Sequence, residues 1–219
     1  MKIGILGTGM VGKTLGTKLV KGGHPVMLGS RTADSDAGQE WLRSVGGKAQ
    51  CGMCADTARF GEIILDCTNG ANALAALEQA GAANLRGKIL VQVGNPLDFS
   101  KGMAPSLTVC NTDSLGEQTQ RTFPETRVVK ALNTVNCDIM VEPSRVPGEH
   151  DLFICGNDEA AKREVTARLS EWFGWKPGSI IDLGDITHAR GTEMFLALWI
   201  RLYGRLGTPH FNIHVAKGK

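Results

Sequence analysis

Lys2-Ile3-Gly4-Ile5-Leu6-Gly7-Thr8-Gly9-Met10-Val11-Gly12 opens the chain and decides how the rest is read. Ile3 to Leu6 is an apolar run of the length of one buried strand. Gly7, Gly9 and Gly12 follow in G-x-G-x-x-G spacing, and Thr14-Leu15-Gly16-Thr17-Lys18-Leu19-Val20 continues as a helix. Strand, glycine turn and helix in that order make the opening of a dinucleotide-binding unit. Gly7 permits the tight turn, Gly9 lets the backbone approach a pyrophosphate, and Gly12 lets the helix pack close on the strand. The helix N-terminus then offers unpaired N–H groups and partial positive charge to phosphates. With 28 glycines in the chain the spacing alone is a weak signal; its place between a strand and a helix carries it.

The second strand, Val26-Met27-Leu28, ends in Gly29-Ser30-Arg31-Thr32. NAD-binding chains place an acid at this strand end, where its carboxylate accepts the ribose hydroxyls. Here a hydroxyl and a guanidinium stand instead. Arg31 can fork two N–H bonds onto a 2′-phosphate and Ser30 can add another, whereas a carboxylate would repel that group. The tetrad favours NADP(H). The alternative leaves Arg31 solvated and makes Asp34 or Asp36 the ribose acid. Those acids come late, and Asp36 with Gln39 has capping-box spacing for a helix over residues 37–45.

Strands and helices then alternate. Strands are expected over residues 48–51, 62–67, 88–93, 127–132, 151–156 and 179–183. Helices are expected over residues 56–60, 71–80, 114–123 and 159–173, with a loop over 98–108 and a last helix from the Asp185 cap to about residue 206. Strand carboxyl ends face the ligand in such a sheet. Cys67, Thr68 and Asn69, then Asn95 and Pro96, then Asn133, Thr134 and Val135 are therefore expected around one cleft. Asn95 is placed to bond ribose or nicotinamide, with a plain Asn-Pro turn as the alternative. The expected fold is α/β, a Rossmann-type, doubly wound, mainly parallel sheet over residues 1–183, with a small C-terminal helical extension over 184–219.

Composition narrows the function classes. The chain is 42% hydrophobic and 21% charged with a net charge of +2, which argues against a nucleic-acid or anionic-membrane partner. No apolar run approaches the ~20 residues that span a bilayer. A strand beginning at the second residue leaves no room for a cleaved leader, so a cytoplasmic location and six reduced cysteines are expected. Cys51-Gly52-Met53-Cys54 reads either as a redox or metal pair or as small residues at a strand end. No second pair at metal spacing follows, and neither Trp nor Pro frames it, so no metal site is expected.

Residues 194–206 are apolar on nearly every side, which calls for burial on two sides. The second side is a partner subunit in a homodimer or the far wall of a substrate cleft; a central core helix in a monomer is the alternative. Glu193 is the acid inside this helix, and Arg190, three residues back, is its expected partner. Phe211 to Val215 alternates like an extended strand. No catalytic dyad is visible: His24, His150, His188, His210 and His214 are all expected to be solvated or capping. An imine or carbonyl substrate would need a proton donor, for which His188 or a tail histidine is the candidate.

The opening, the Gly29-Ser30-Arg31 strand end, the Asn95-Pro96 exit and the Lys130-Ala131-Leu132-Asn133-Thr134 strand end come in an order that resembles the NADPH-dependent coenzyme F420 (5-deazaflavin) reductases. The resemblance runs from Met1 to Trp199 and the Phe211-Asn212 tail, and is closer in the N-terminal half. It implies a dimeric oxidoreductase that moves a hydride between NADP(H) and a second redox partner, coenzyme F420 or a flavin. It also implies that Thr8, Met10 and Val11 contact pyrophosphate and ribose, that Ser30 and Arg31 hold the 2′-phosphate, and that Asn133-Thr134-Val135 lies near the nicotinamide. Asn133 stands where archaeal deazaflavin enzymes carry a histidine. Two other functions keep the same opening: an imine or carbonyl reductase of the pyrroline-carboxylate type, whose C-terminal region is longer and more helical, and a non-enzymatic NADPH sensor. Arg31→Ala should weaken NADPH binding by at least ~1.5 kcal/mol, the worth of a charge-assisted hydrogen bond, and leave NADH binding unchanged. Titration with both nucleotides checks this, and equal wild-type affinities would refute the phosphate assignment.

Overall fold

The computed structural model describes residues 1–33 and 35–218, so the Asp34 alternative for a ribose acid lies outside the described residues. The main sheet is built from β1 (Ile3–Leu6), β2 (Val26–Ser30), β3 (Ala49–Met53), β4 (Ile63–Asp66), β5 (Ile89–Gln92), β6 (Arg127–Ala131), β7 (Leu152–Gly156) and β8 (Ile180–Asp182). Its spatial order is β8-β7-β6-β5-β4-β1-β2-β3. Neighbours pair in parallel except at β6 and β7, which run antiparallel, so β7 and β8 are reversed against the rest. The chain leaves β1 toward β2 on one side and returns to β4 on the other. That reversal opens a crevice at the carboxyl ends of β1 and β4.

Burial on both faces explains why the central strands read as unbroken apolar runs. Ile3, Ile5 and Leu6 have no exposed surface, and each such side chain contributes about 1.5–3 kcal/mol. One face is covered by α1 (Met10–Lys21), α2 (Asp36–Val45), a short helix over Cys137–Val141 and the long helix Glu159–Phe173. The other carries α3 (Cys54–Phe60), α4 (Ala73–Ala80), α5 (Leu115–Thr122) and the start of the C-terminal helix Ala189–Leu206.

Several local expectations shift. Ser35, not Asp36, caps α2, accepting the Gly38 N–H at 3.3 Å, because the extended residue before the first turn is Ser35. The segment expected to be a loop over 98–108 contains a two-stranded hairpin of Leu97–Asp98 with Ser106–Leu107. Residues 211–215 form no ladder. One backbone bond, Asp151 N–H to Ile213 O at 2.8 Å, and the Asp151 carboxylate, accepting Val215 N–H at 2.6 Å, pin the tail instead.

The C-terminal helix departs furthest from expectation. Glu193 does not pair with Arg190. Its carboxylate lies 2.8 Å from the Lys130 ammonium in β6 and accepts the Leu115 and Gly116 N–H groups that open α5. Arg190 instead forks onto Glu117 of α5, Nε to Oε2 at 2.9 Å. Each of the two side chains finds its partner across the sequence, so tertiary packing overrides the local three-residue pairing. Lys130 is fully buried and Glu193 nearly so. Removing one partner leaves an uncompensated buried charge. Lys130→Met should therefore cost about 3–5 kcal/mol, while Lys130→Met combined with Glu193→Leu should recover most of the loss. Urea denaturation of both variants decides; equal losses would show that packing rather than charge is at stake.

Candidate active site

Gly7 turns the chain after β1 with a φ of 108°, a region closed to most side chains. Gly12 is forced by contact: a Cβ there would sit 2.1 Å from the Gly7 carbonyl oxygen. Gly9 differs, since a Cβ there would meet nothing within 4 Å. It is also the N-cap of α1, and no side chain caps the first turn. The open ground above Gly9 and the uncapped N–H groups fit a pyrophosphate, which needs close backbone approach and the positive end of a helix dipole.

Above this turn lies a cleft of about 510 Å³, within the size range of small-molecule sites. Gly9, Met10 and Val11 form one edge. Thr68 and Asn69 after β4, Asn95 after β5, and Asn133, Thr134 and Val135 after β6 line it as expected, with Cys67 beside them. Thr8 sits within the glycine turn between Gly7 and Gly9. Pro96 follows Asn95 and is not part of the lining. Ser30 and Arg31 lie outside it, at the end of β2; the Ser30 hydroxyl bonds the Thr32 carbonyl, and Arg31 is exposed. The far wall comes from Leu196 and Trp199 of the C-terminal helix and from Leu97 and Phe99 of the hairpin.

Two asparagines tie adjacent strand ends together. Asn95 donates to the Asn133 carbonyl at 2.8 Å, and the Asn133 amide donates to Asn95 Oδ1 at 3.0 Å. Leu132, with a φ of 67°, makes the turn that allows this. Asn133 Oδ1 and Thr134 Oγ1 are buried without a hydrogen-bond partner among the described residues.

Beneath the floor lies a buried polar row that sequence reasoning missed. Asp66 Oδ1 accepts from the Thr68 hydroxyl at 2.6 Å and from the Thr68 N–H at 3.1 Å. Gln92 donates to Asp66 Oδ2 at 3.5 Å. Lys130 in turn donates to Gln92 Oε1, to the Gly94 carbonyl and to Glu193. Burial pushes the Asp66 carboxyl above the ordinary range, against the Thr68 and Gln92 hydrogen bonds and the Lys130 charge. A signal was present: β4, β5 and β6 each place a polar residue near the carboxyl end of an apolar strand, and the three pair laterally.

The remaining candidates go elsewhere. Cys51 and Cys54 donate to different carbonyls, Gly38 and Ser30 respectively, each at 3.3 Å. Burial raises both thiols. Among the described residues no histidine lines the cleft. His188 lies by Asp185, His210 pairs with Asp138 at 2.9 Å, and His214 with Asp151 at 3.1 Å. His150 bonds Asn212 and the Pro143 carbonyl, and His24 packs edge-on to Trp172.

The chain is similar to known proteins in sequence and in fold. The family model described as NADP oxidoreductase, coenzyme F420-dependent, matches residues 2–96. The F420-dependent NADP reductase of Methanocaldococcus jannaschii is 31% identical over 211 residues, 92% of each chain. The crystal structure of a candidate F420-dependent NADP reductase from Arthrobacter sp. FB24 superposes with a TM-score of 0.93 at 49% identity, covering 99% of this chain and 100% of that one. The imine reductase of Myxococcus stipitatus in complex with NADP+ shares the fold alone, with a TM-score of 0.65 at 20% identity over 94% of this chain and 64% of its own.

The two inner glycines give a paired test. Gly9→Ala should lower folding stability by at most ~1 kcal/mol, the range of an N-cap change, yet weaken NADPH binding at least ~10-fold by filling the phosphate ground. Gly12→Ala should unfold or distort the turn. Thermal unfolding with NADPH titration separates them, and a Gly9→Ala protein with native affinity would remove the phosphate from this turn.

Proposed function

The chain belongs to the coenzyme F420-dependent NADP oxidoreductase family, and on that premise we propose that it transfers a hydride between NADP(H) and a deazaflavin- or flavin-like acceptor. It is an oxidoreductase of the NADP class with a Rossmann-type fold. The observation that carries the finer reading is the cleft itself. One side offers an uncapped helix N-terminus, and the other is an apolar wall that includes Trp199. Hydride transfer between two ring systems asks mainly for stacking, orientation and exclusion of water, which such a cleft provides.

In this reading Gly7, Thr8, Gly9, Met10, Val11 and Gly12 receive the pyrophosphate, and Ser30 with Arg31 holds the 2′-phosphate. Thr68, Asn69 and Asn95 border the ribose and nicotinamide, Pro96 fixes the chain behind Asn95, and Asn133, Thr134 and Val135 lie beside the nicotinamide. The acceptor lies between that ring and the wall of Leu196 and Trp199. We further read the protein as a homodimer. Leu198, Tyr203 and Leu206 stand 41–55% exposed on one helix, an apolar surface suited to a second copy. A cytoplasmic setting suits its six free thiols. Among the described residues no helix is long and apolar enough to cross a membrane.

Loss of reduced-nicotinamide absorbance in the presence of coenzyme F420, free flavins or small cyclic imines tests the acceptor, with light scattering at micromolar protein for the dimer. Turnover with the deazaflavin or a flavin, by a dimer, is expected. Oxidation by imines alone would move the protein to the imine reductases, tight NADPH binding without oxidation would make it a sensor, and a monomer would remove the subunit contact.

A further inference from the structure

Asp66, Gln92 and Lys130 form one lateral row across β4, β5 and β6, and all three are fully buried. Glu193 of the C-terminal helix closes the row against Lys130. The charges of Lys130 and Glu193 cancel, so Asp66 is the odd group. Ionised, it would leave a net negative charge in a fully buried layer. Lys130 is the cation facing it, and that cation is already engaged by Glu193 at 2.8 Å. The other titratable neighbours are the thiols of Cys54, from α3, and Cys67, both raised by burial first and by Asp66 second. Neither supplies positive charge. The balanced state of the layer is one cation, one anion and a neutral Asp66 carboxyl. Burial favours that state and works against the hydrogen bonds that Thr68 and Gln92 give the carboxylate.

A buried acid with a proton is useful where it touches a group that reaches substrate. The Thr68 hydroxyl lies 2.6 Å from Asp66 Oδ1, and Thr68 lines the cleft. A hydroxyl hydrogen rotates, so this contact serves in either direction: Thr68 donates to the carboxylate, or accepts from the neutral acid while its own O–H turns to the cleft. Resting on the oxidoreductase reading above, we infer that Asp66 stores the proton that accompanies hydride transfer and that the Thr68 hydroxyl delivers it to the bound acceptor.

NADPH supplies the hydride, two electrons and one proton, and the acceptor's heteroatom still requires one further proton. The Thr68 O–H bond breaks toward that heteroatom as Thr68 Oγ1 takes the proton from the Asp66 carboxyl. Asp66 is left as a carboxylate, stabilised by the Thr68 N–H and Gln92, and regains a proton from water once product has left. Reduced nicotinamide, acceptor and one proton thus give oxidised nicotinamide and the two-electron-reduced acceptor. Asp66 acts only through Thr68 and is a positioning residue that holds the proton.

Infrared difference spectra of the unliganded protein at neutral pH test the store directly. A neutral carboxylic-acid carbonyl band should be present in wild type, absent in Asp66→Asn and displaced in Thr68→Val. Its absence from wild type overturns the inference whatever the acceptor proves to be. Should Asp66→Asn fail to fold, displacement of the band in Thr68→Val makes the same assignment. Delivery is read from turnover with coenzyme F420. Thr68→Val should lower kcat about 100-fold or more, the usual worth of a positioned proton donor. Wild-type kcat should fall as pH rises through the elevated Asp66 titration, and Asp66→Asn should lose that dependence. Wild-type turnover by Thr68→Val overturns delivery. A clear band with no NADPH oxidation by any acceptor sinks the hydride reading and delivery with it, but leaves the proton store standing.

Discussion

A lysine with no solvent contact in the middle of a β-sheet has to be neutralised, and much of this chain follows from how that is done. Taking an ammonium out of water costs several kcal/mol, even after relaxation. Lys130 offsets that cost with the Glu193 carboxylate, the Gly94 carbonyl and Gln92 Oε1. Glu193 is held in its turn by the first N–H groups of α5, whose helix dipole favours an anion there. This fixes the C-terminal helix across α5 and beside β6. Leu196 is three residues on from Glu193 and Trp199 six, so both emerge on the cleft. The far wall of the site is thus positioned from its opposite end, by a pair with no surface of its own.

The sheet and its ligand side were legible because their signals are local. A four-residue apolar strand, a glycine at each point of a tight turn and polar residues just past strand ends lie within a few positions of one another. That sufficed to place Thr68, Asn69, Asn95, Asn133, Thr134 and Val135 around one cleft. Glu193 was not legible, because the bond from Leu115 N–H to its carboxylate spans 78 residues. The local rule offered Arg190, and nothing within three or four residues revealed that Arg190 and Glu193 each find a separate partner more than 60 residues away. Ser35 and the tail were missed for a related reason. A side chain one residue earlier, or a single carboxylate such as Asp151, does the work that a regular pattern was expected to do.

The late helix is apolar on nearly every side in sequence, and its two halves resolve that differently. Ala189, Thr192 and Glu193 are buried against α5 and the sheet. Beyond Leu196 the helix has no buried residue. Trp199 is stacked between Tyr203 and Phe211 at 5.7 and 5.2 Å, so the returning tail covers part of that surface. Leu198 and Leu206 remain more than half exposed, on the part of the helix that carries a cleft wall. On the homodimer reading, subunit contact and acceptor wall share one helix, and what stiffens one stiffens the other.

Stiffness at the cleft has an energetic signature. Leu132 adopts a left-handed backbone that costs a non-glycine residue roughly 1–2 kcal/mol. The two residues after it place the buried Asn133 Oδ1 and Thr134 Oγ1 at the cleft. Backbone costs of this kind persist only where the surroundings over-determine the conformation. Three restraints do so here. The Leu132 side chain is fully buried, the reciprocal Asn95–Asn133 pair locks adjacent strand ends, and Lys130 grips the Gly94 carbonyl one residue before Asn95. The ion pair that places the far wall therefore also steadies the strand ends that face it, and the width of the cleft is set from both sides by Lys130.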